Sequence, residues 1–297
     1  MGKTREIKKR IKAVGNIRRI TKTMQMIATA KFAASNARTM ASKPYTTTLF
    51  ELVSELAGSM ADASHPLIDS GKPRPGAEVT LILVSDRGLC GPYNGSVLRA
   101  AMNFFKSTPT AKAGQVELVG KKGVAFFKFN GLPIAAQHIQ FGDKPTYETV
   151  EALAQSYIDQ FTAGKISCVR VVSMRFISAG RQTTQVQQIL PFKPVAKPTE
   201  KTTDKAAKPG TTAQYEFSPD AQGLLNDLLP AAVKATLFQL FQEANVSEHV
   251  ARMIAMKAAT DNSGKMGKRL TRVYNRARQA QITTELTEII SGAAALA

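Results

Sequence analysis

Apolar residues near the start of the chain recur at steps of three and four: Ile7, Ile11, Val14, Ile17, Ile20, Met24 and Ile27. Lys8, Lys9, Arg10, Lys12, Arg18, Arg19 and Lys22 fill the intervals. That spacing is helical, and so narrow a stripe predicts a coiled-coil seam rather than a broad core face. Thr4 reads as the N-cap. Gly15 costs such a helix about 1 kcal/mol relative to alanine, so neighbours have to hold it. Pro44 predicts a kink or interruption, after which Leu49, Leu52, Val53 and Leu56 resume the pattern up to Gly58. Unbroken, residues 4–57 would reach roughly 80 Å at the helical rise. A core of this size cannot bury that length, so a second long helix is expected beside it.

The other end of the chain supplies one. Ser218-Pro219 reads as an N-cap with proline at the first helical position, opening a short helix to Leu229. Pro230 starts or kinks the next helix, and nothing from Ala231 to Ser291 forbids a nearly continuous one of roughly 90 Å. Its seam reads Leu270, Val273, Ala277 and Ala280, followed by a second stripe of Ile282, Leu286, Ile289 and Ala293. Gly264 and Gly267 mark its weakest point.

Between the ends the period changes. Val79 to Ser85 is a short apolar run rich in β-branched residues, read as a buried strand. Further strands are expected over 116–119, 134–141, 168–177 and 183–190, the last pair a hairpin turning at Ala179 to Gln182. Helices are expected over 94–105, 121–129 and 147–161. Alternating strands and helices predict a mostly parallel sheet covered on both faces, with an antiparallel edge. The segment from Ala61 to Gly76 reads as a loop. Pro191 to Pro219, with five prolines and five lysines, reads as a mobile linker. The fold class expected is therefore α/β: a long antiparallel coiled coil of the N- and C-terminal helices plus a central Rossmann-like domain with a mostly parallel sheet. The parts are 1–58, an N-terminal coiled-coil helix; 76–192, the α/β domain; 193–217, the linker; and 218–297, the C-terminal coiled-coil helix.

Charge sharpens this division. The chain has 297 residues and a net charge of +18. Residues 1–43 carry a net +11 and residues 251–297 a net +5, so the basic surface belongs to the terminal helices. An acidic partner is implied, whether nucleic acid, anionic lipid or an acidic protein cavity. Nucleic-acid readers usually add stacking aromatics or a recognised module; tryptophan is absent, and the terminal helices hold few aromatics. No apolar run approaches bilayer-spanning length.

Chemistry is sparse. His65, His138 and His249 are scattered without HxxxH or HExxH spacing, and neither cysteine, Cys90 nor Cys168, has an adjacent histidine or a CxxC. Two distant thiols fit a reducing compartment. Ser85-Asp86-Arg87-Gly88-Leu89-Cys90-Gly91 follows the first strand, but it is neither GxGxxG nor GxxxxGK[ST], and Pro92 removes a backbone donor. It reads as a tight strand-to-helix turn. No catalytic residue, cofactor or metal site is expected.

Four stretches carry a resemblance. They are Ile20 to Phe32 (ITKTMQMIATAKF), the SDRGLCG turn, Glu248 to Asn262 (EHVARMIAMKAATDN), and Tyr274 to Ala294 with its YNRARQA, ITTEL and SGAA pieces. Together they resemble the gamma subunit, the central rotor shaft, of rotary F-type ATP synthases of bacterial type, over nearly the whole chain. Pro92-Tyr93 departs from the Gly-Leu usual after the turn. The resemblance implies a non-catalytic stalk subunit coupling rotation of the membrane c-ring to conformational cycling of catalytic beta subunits. Its partners would be the alpha and beta subunits, the epsilon subunit and the c-ring, not nucleic acid. The alternative is a basic coiled-coil nucleic-acid-binding protein. The resemblance also implies that Met24 lies where the shaft touches the beta ring. Arg278 and Gln279 would meet an acidic loop of a beta subunit, and Thr283 and Glu285 would occupy the polar positions one turn on. The basic amphipathic start could mimic a mitochondrial transit peptide, but it matches the mature family pattern from Lys3. The expected location is the cytoplasmic face of the bacterial inner membrane, held there only through the complex.

Overall fold

The computed structural model of the chain describes residues 2–59, 65–68, 74–193 and 221–296. Two helices carry its ends, α1 (Gly2–Ser59) and α6 (Ala221–Leu296). Between them run β1 (Ala77–Leu83), α2 (Tyr93–Ser107), α3 (Pro109–Ala113), β2 (Gln115–Val119) and α4 (Val124–Phe129). β3 (Ala136–His138), α5 (Tyr147–Thr162), β4 (Ile166–Ser178) and β5 (Arg181–Leu190) complete the order. The chain divides into two compact units: residues 1–32, 89–91 and 249–297 in the first, and 33–88 and 92–248 in the second.

The second unit is built on a five-stranded sheet of order β3-β2-β1-β4-β5. β1 lies parallel to both β2 and β4, β3 is parallel to β2, and β5 closes the other edge antiparallel to β4. Crossover helices connect the parallel strands, which is the only economical way to link them. Alternation sorts the side chains into two layers. Val79, Leu81, Val169 and Val171 join a core with Tyr157 and Phe161 of α5, Leu49 and Val53 of α1, and Leu237 and Phe241 of α6. Ile82 and Val172 are completely buried, as are Val97 and Ala101 of α2 and Phe127 of α4. The run from Val79 to Leu83 is buried throughout, as expected of a central parallel strand.

Gly120 is required where β2 ends. Its φ is +90°, and a Cβ there would stand 2.3 Å from the Val84 carbonyl oxygen, inside any allowed contact. Its amide donates to His138 O at 3.1 Å, fixing the end of β3.

The first unit contains residues 2–32 of α1 and 249–296 of α6. Thr4 Oγ1 donates to Gln281 Oε1 at 3.0 Å, and Thr260 Oγ1 donates to Thr21 Oγ1 at 2.9 Å. A Cβ built on Gly264 would meet Arg18 Nε at 3.6 Å. Partner numbers fall on one helix as they rise on the other, so the helices run antiparallel.

Several expectations change. Thr4 is inside α1 rather than its cap, and its hydroxyl crosses to α6. Pro44 interrupts nothing: α1 passes through it, and α6 likewise passes through Pro230. A proline deletes one intrahelical bond, which tertiary packing on the neighbouring turns, Leu49 and Val53 in α1 and Leu229, Ala232 and Val233 in α6, offsets. Helix α3, five residues beginning with Pro109, had no periodic signal to reveal it. β3 is three residues rather than eight, as suits an edge strand paired on one side only. The hairpin of β4 and β5 forms where expected. Neither cysteine is in a disulfide, and both are buried. The linker 193–217 beyond Lys193, the Ser218-Pro219 start, and most of the loop over 61–76 lie outside the described residues.

Candidate functional site: the surface of the paired terminal helices

The seam between the helices of the first unit follows a strict heptad. On α6 it reads Met256, Thr260, Ser263, Gly267, Leu270, Tyr274, Ala277 and Gln281, each at least partly buried. On α1 it reads Ile7, Ile11, Val14, then Thr21, Gln25 and Ala28, with Arg18 keeping the register. Steps alternating three and four average 3.5, which keeps one face toward the partner. The apolar spacing read from the sequence drifts off this path. From Val14 it steps by three to Ile17 and again to Ile20, placing Ile20 and Ile27 about 100° from the seam at 3.5 residues per turn. Ile17, Ile20 and Ile27 are accordingly 51%, 57% and 52% exposed. Val273 is exposed for the same reason, while Tyr274 and Gln281 take the inner positions.

Much of the seam is therefore polar or small, and much of the apolar surface faces outward. Ile254, Met266 and Val273 join the exposed set on α6. Past Gln281, Ile282, Leu286, Ile289 and Ile290 are all more than half exposed. Thr4 already stands opposite Gln281, so the described part of α1 runs out there. Among the described residues, no helix lies against the second apolar stripe of α6. Sequence reasoning missed the outward isoleucines because it counted apolar residues. The clue available was the three-three-three run, which is too short a period for a seam.

The residues singled out as partner contacts fall at two levels of the first unit. Met24 is partly buried close to Thr21, whose partner is Thr260. Arg278, Gln279, Thr283 and Glu285 lie further along α6, the first of them roughly 27 Å from the Thr260 level at the helical rise. All four are exposed. Thr283 Oγ1 donates to Gln279 O at 3.0 Å, tying its hydroxyl to its own helix. Glu285 accepts from Gln281 Nε2 at 2.8 Å, and Gln281 accepts from Thr4. Glu285 thus belongs to a polar chain that crosses between the helices. Cations dominate this surface: Lys8, Lys9, Arg10, Lys12, Arg19 and Lys22 on α1, and Lys265, Lys268, Arg269, Arg272, Arg276 and Arg278 on α6, are all exposed. Arg10 pairs with Glu6 at 2.6 Å, an exposed bond that adds little to stability.

The remaining candidates have structural occupations. In the SDRGLCG turn, Ser85 N donates to Asn94 Oδ1 at 3.0 Å and Ser85 Oγ to Arg87 O at 2.7 Å. Leu89 and Gly91 take φ of 64° and 56°, and a Cβ at Gly91 would touch Ala255 at 3.5 Å. Pro92 caps α2, accepting from Ser96 N at 2.8 Å, and Tyr93 is buried with its hydroxyl toward Leu83 O. His65 Nδ1 accepts from Leu67 N at 3.0 Å, and burial lowers its pKa, keeping the ring neutral for that bond. His138 Nε2 lies 2.7 Å from Glu117 Oε2, which also accepts from Tyr157 Oη at 2.6 Å. Burial pushes the Glu117 carboxyl up, but these two hydrogen bonds and the charge on His138 outweigh it, so its pKa is below the usual range. Burial and then Glu117 hold the Tyr157 phenol well above its usual value. His249 is buried beside Arg252. Among the described residues no cluster of His, Cys, Asp and Glu is gathered that could hold a metal ion. No described helix is long and apolar enough to cross a membrane.

Comparison with known proteins shows the family of the chain. A family model described as ATP synthase matches residues 3–296. The chain is 40% identical to the ATP synthase gamma chain of Rhodopirellula baltica, over 100% of this chain and 99% of that one. It is 37% identical to the gamma chain of Leptospira biflexa and 34% identical to that of Paraburkholderia phytofirmans, each over the full length of both. Its fold is similar to a chain of the Euglena gracilis mitochondrial ATP synthase OSCP/F1/c-ring assembly, with a TM-score of 0.67 at 18% identity over 99% of this chain and 95% of that one. A chain of the Tetrahymena thermophila mitochondrial ATP synthase central stalk/c-ring assembly gives a TM-score of 0.55 at 20% identity, over 81% of this chain and 99% of that one. With end-to-end identity on this scale, the chain belongs to the ATP synthase gamma-chain family.

Proposed function

We infer that this chain is the non-catalytic central rotor of a proton-translocating ATP synthase. Its paired terminal helices turn inside a ring of alpha and beta subunits. Its α/β portion meets the epsilon subunit and the membrane c-ring. It works as a peripheral subunit on the cytoplasmic face of the bacterial inner membrane. The observation that carries this reading is the first unit's construction: two antiparallel helices held through a heptad seam, with cations and isoleucines turned outward. That surface is built to be enclosed by something acidic and partly apolar. Family membership favours a protein cavity over a nucleic-acid backbone as that enclosure.

The working parts on this reading are 1–58 and 218–297 as the shaft, 76–192 as the base, and 193–217 as a connector. Met24 meets the beta ring at one level. Arg278, Gln279, Thr283 and Glu285 meet an acidic beta loop at another. An axle needs length, stiffness and asymmetry, and no active site of its own. As it turns, its uneven surface favours a different conformation in each beta subunit, a population shift driven from outside the catalytic site. Exposed ion pairs are worth only about 0–1 kcal/mol each, so contacts made by these arginines exchange readily as the shaft moves.

Reconstitution tests the proposal. Purified alpha and beta subunits mixed with this chain should give a stable complex with strong ATP hydrolysis. Hydrolysis by the purified chain alone, or failure to assemble, would overturn it.

A further inference from the structure

One groove of the first unit is absorbed neither by helix pairing nor by the proposed contacts. It lies between α1 and α6, on the Gln281 side of the Thr21–Thr260 hydrogen bond, with a volume of about 760 Å³. Glycines open it: Gly15 on one helix, Gly264 and Gly267 on the other. A Cβ at Gly267, a seam position, would meet nothing within 4 Å, nor would one at exposed Gly15 beside Val14, so space stands where a coiled coil ordinarily interdigitates a side chain. The volume falls in the range of small-molecule sites, roughly 300–1,000 Å³.

The lining has two chemistries. Ile11 and Val14 provide an aliphatic wall that continues into the bare glycine backbone. Arg18 from α1 and Lys265, Lys268 and Arg272 from α6 also line it, against one carboxylate, Asp261. Cations thus reach the groove from both helices. Two guanidinium forks and two ammonium groups suit a multiply charged oxyanion, which accepts bidentate arginine bonds. The aliphatic wall suits a ring rather than more charge.

We propose that this glycine-opened groove is a binding site for an organic phosphate, its phosphates held by Arg18, Lys265, Lys268 and Arg272 and its ring laid against Ile11 and Val14. A ligand held from both helices ties them together where the glycines leave the groove open. Occupancy therefore stabilises the pair, as any ligand bound only to the folded state does.

Calorimetric titration of the purified full-length chain at moderate salt tests this, using magnesium-free ADP and inorganic tripolyphosphate as probes. ADP should bind saturably at one site and raise the melting temperature, and tripolyphosphate should bind more weakly for want of a ring. Gly264→Leu with Gly267→Leu fills the groove without removing a charge and improves helix propensity. It should weaken ADP by roughly tenfold or more. Lys265→Gln with Arg272→Gln, both exposed, should weaken it comparably and serves if the filled variant fails to fold. Unchanged ADP affinity in the filled variant, or equal affinity for the two probes, would reduce the binding to a diffuse ionic atmosphere on basic helices and overturn the proposal. So would the lack of saturable ADP binding to the unaltered chain.

Discussion

Glu117 shows how one carboxylate can tie two elements of a fold together. A single oxygen takes bonds from β3 through His138 and from α5 through Tyr157, so the sheet edge and its covering helix are tied at one atom. The folded pKa is depressed. Its stabilising contribution is therefore complete above the unfolded value of about 4.3 and is lost as pH falls through the lower folded value. Glu117→Gln should cost on the order of 1–3 kcal/mol at neutral pH, because an ionised hydrogen-bond partner is removed from a half-buried site. It should also flatten the acid side of the stability profile between about pH 4 and the folded pKa. Denaturant unfolding across pH 2–8 measures both. An acid limb of unchanged steepness would show that Glu117 contributes nothing there. None of this cluster was legible in the sequence, since Glu117, His138 and Tyr157 come together only through strand register and helix packing.

Among the elements, the two long helices show what periodicity can and cannot reveal. The existence, direction and mutual need of α1 and α6 follow from their length and narrow stripes. Their seam does not follow, because apolar identity and inward position separate here. Ile20 faces out while Thr21, Gln25 and Ala28 hold the heptad. Counting hydrophobic residues assigns the outward isoleucines to the interior; keeping the 3.5-residue period from Ile7 would have placed them correctly. The same limit hid the continuity of both helices through Pro44 and Pro230, where packing outweighs a local rule. The sheet was readable because its central strands are continuous apolar runs. This difference can be measured. Ile20→Ala with Ile27→Ala should change unfolding free energy by only about 0.5 kcal/mol, as at other exposed positions, yet lower the stability of the complex with alpha and beta subunits. Leu237→Ala, in the core of the second unit, should cost about 2–5 kcal/mol. A large folding penalty from the isoleucine pair would return those residues to the seam.

The whole molecule is a division of labour. Hydrophobic burial is concentrated around the sheet, and the first unit gives its surface to cations and exposed isoleucines. If Arg278 and Gln279 grip a beta subunit, then Arg278→Ala with Gln279→Ala should leave melting unchanged. The same change should lower ATP hydrolysis in the reconstituted complex by roughly tenfold, the effect of losing one or two charge-assisted bonds at about 1.4 kcal/mol per decade. A melting shift of equal consequence would mean that the pair supports folding instead.

The central claim is that the two ends of the chain form one shaft that turns without coming apart. Thr21 and Thr260, hydrogen-bonded across the helices at 2.9 Å, offer the most direct test. With Thr21→Cys and Thr260→Cys introduced and oxidised, the chain should assemble with alpha and beta subunits, and a bead fixed to its sheet should rotate in single-molecule records at the speed of the reduced complex. Failure of the disulfide to form, or arrest of rotation on oxidation with recovery on reduction, would contradict a permanently paired shaft.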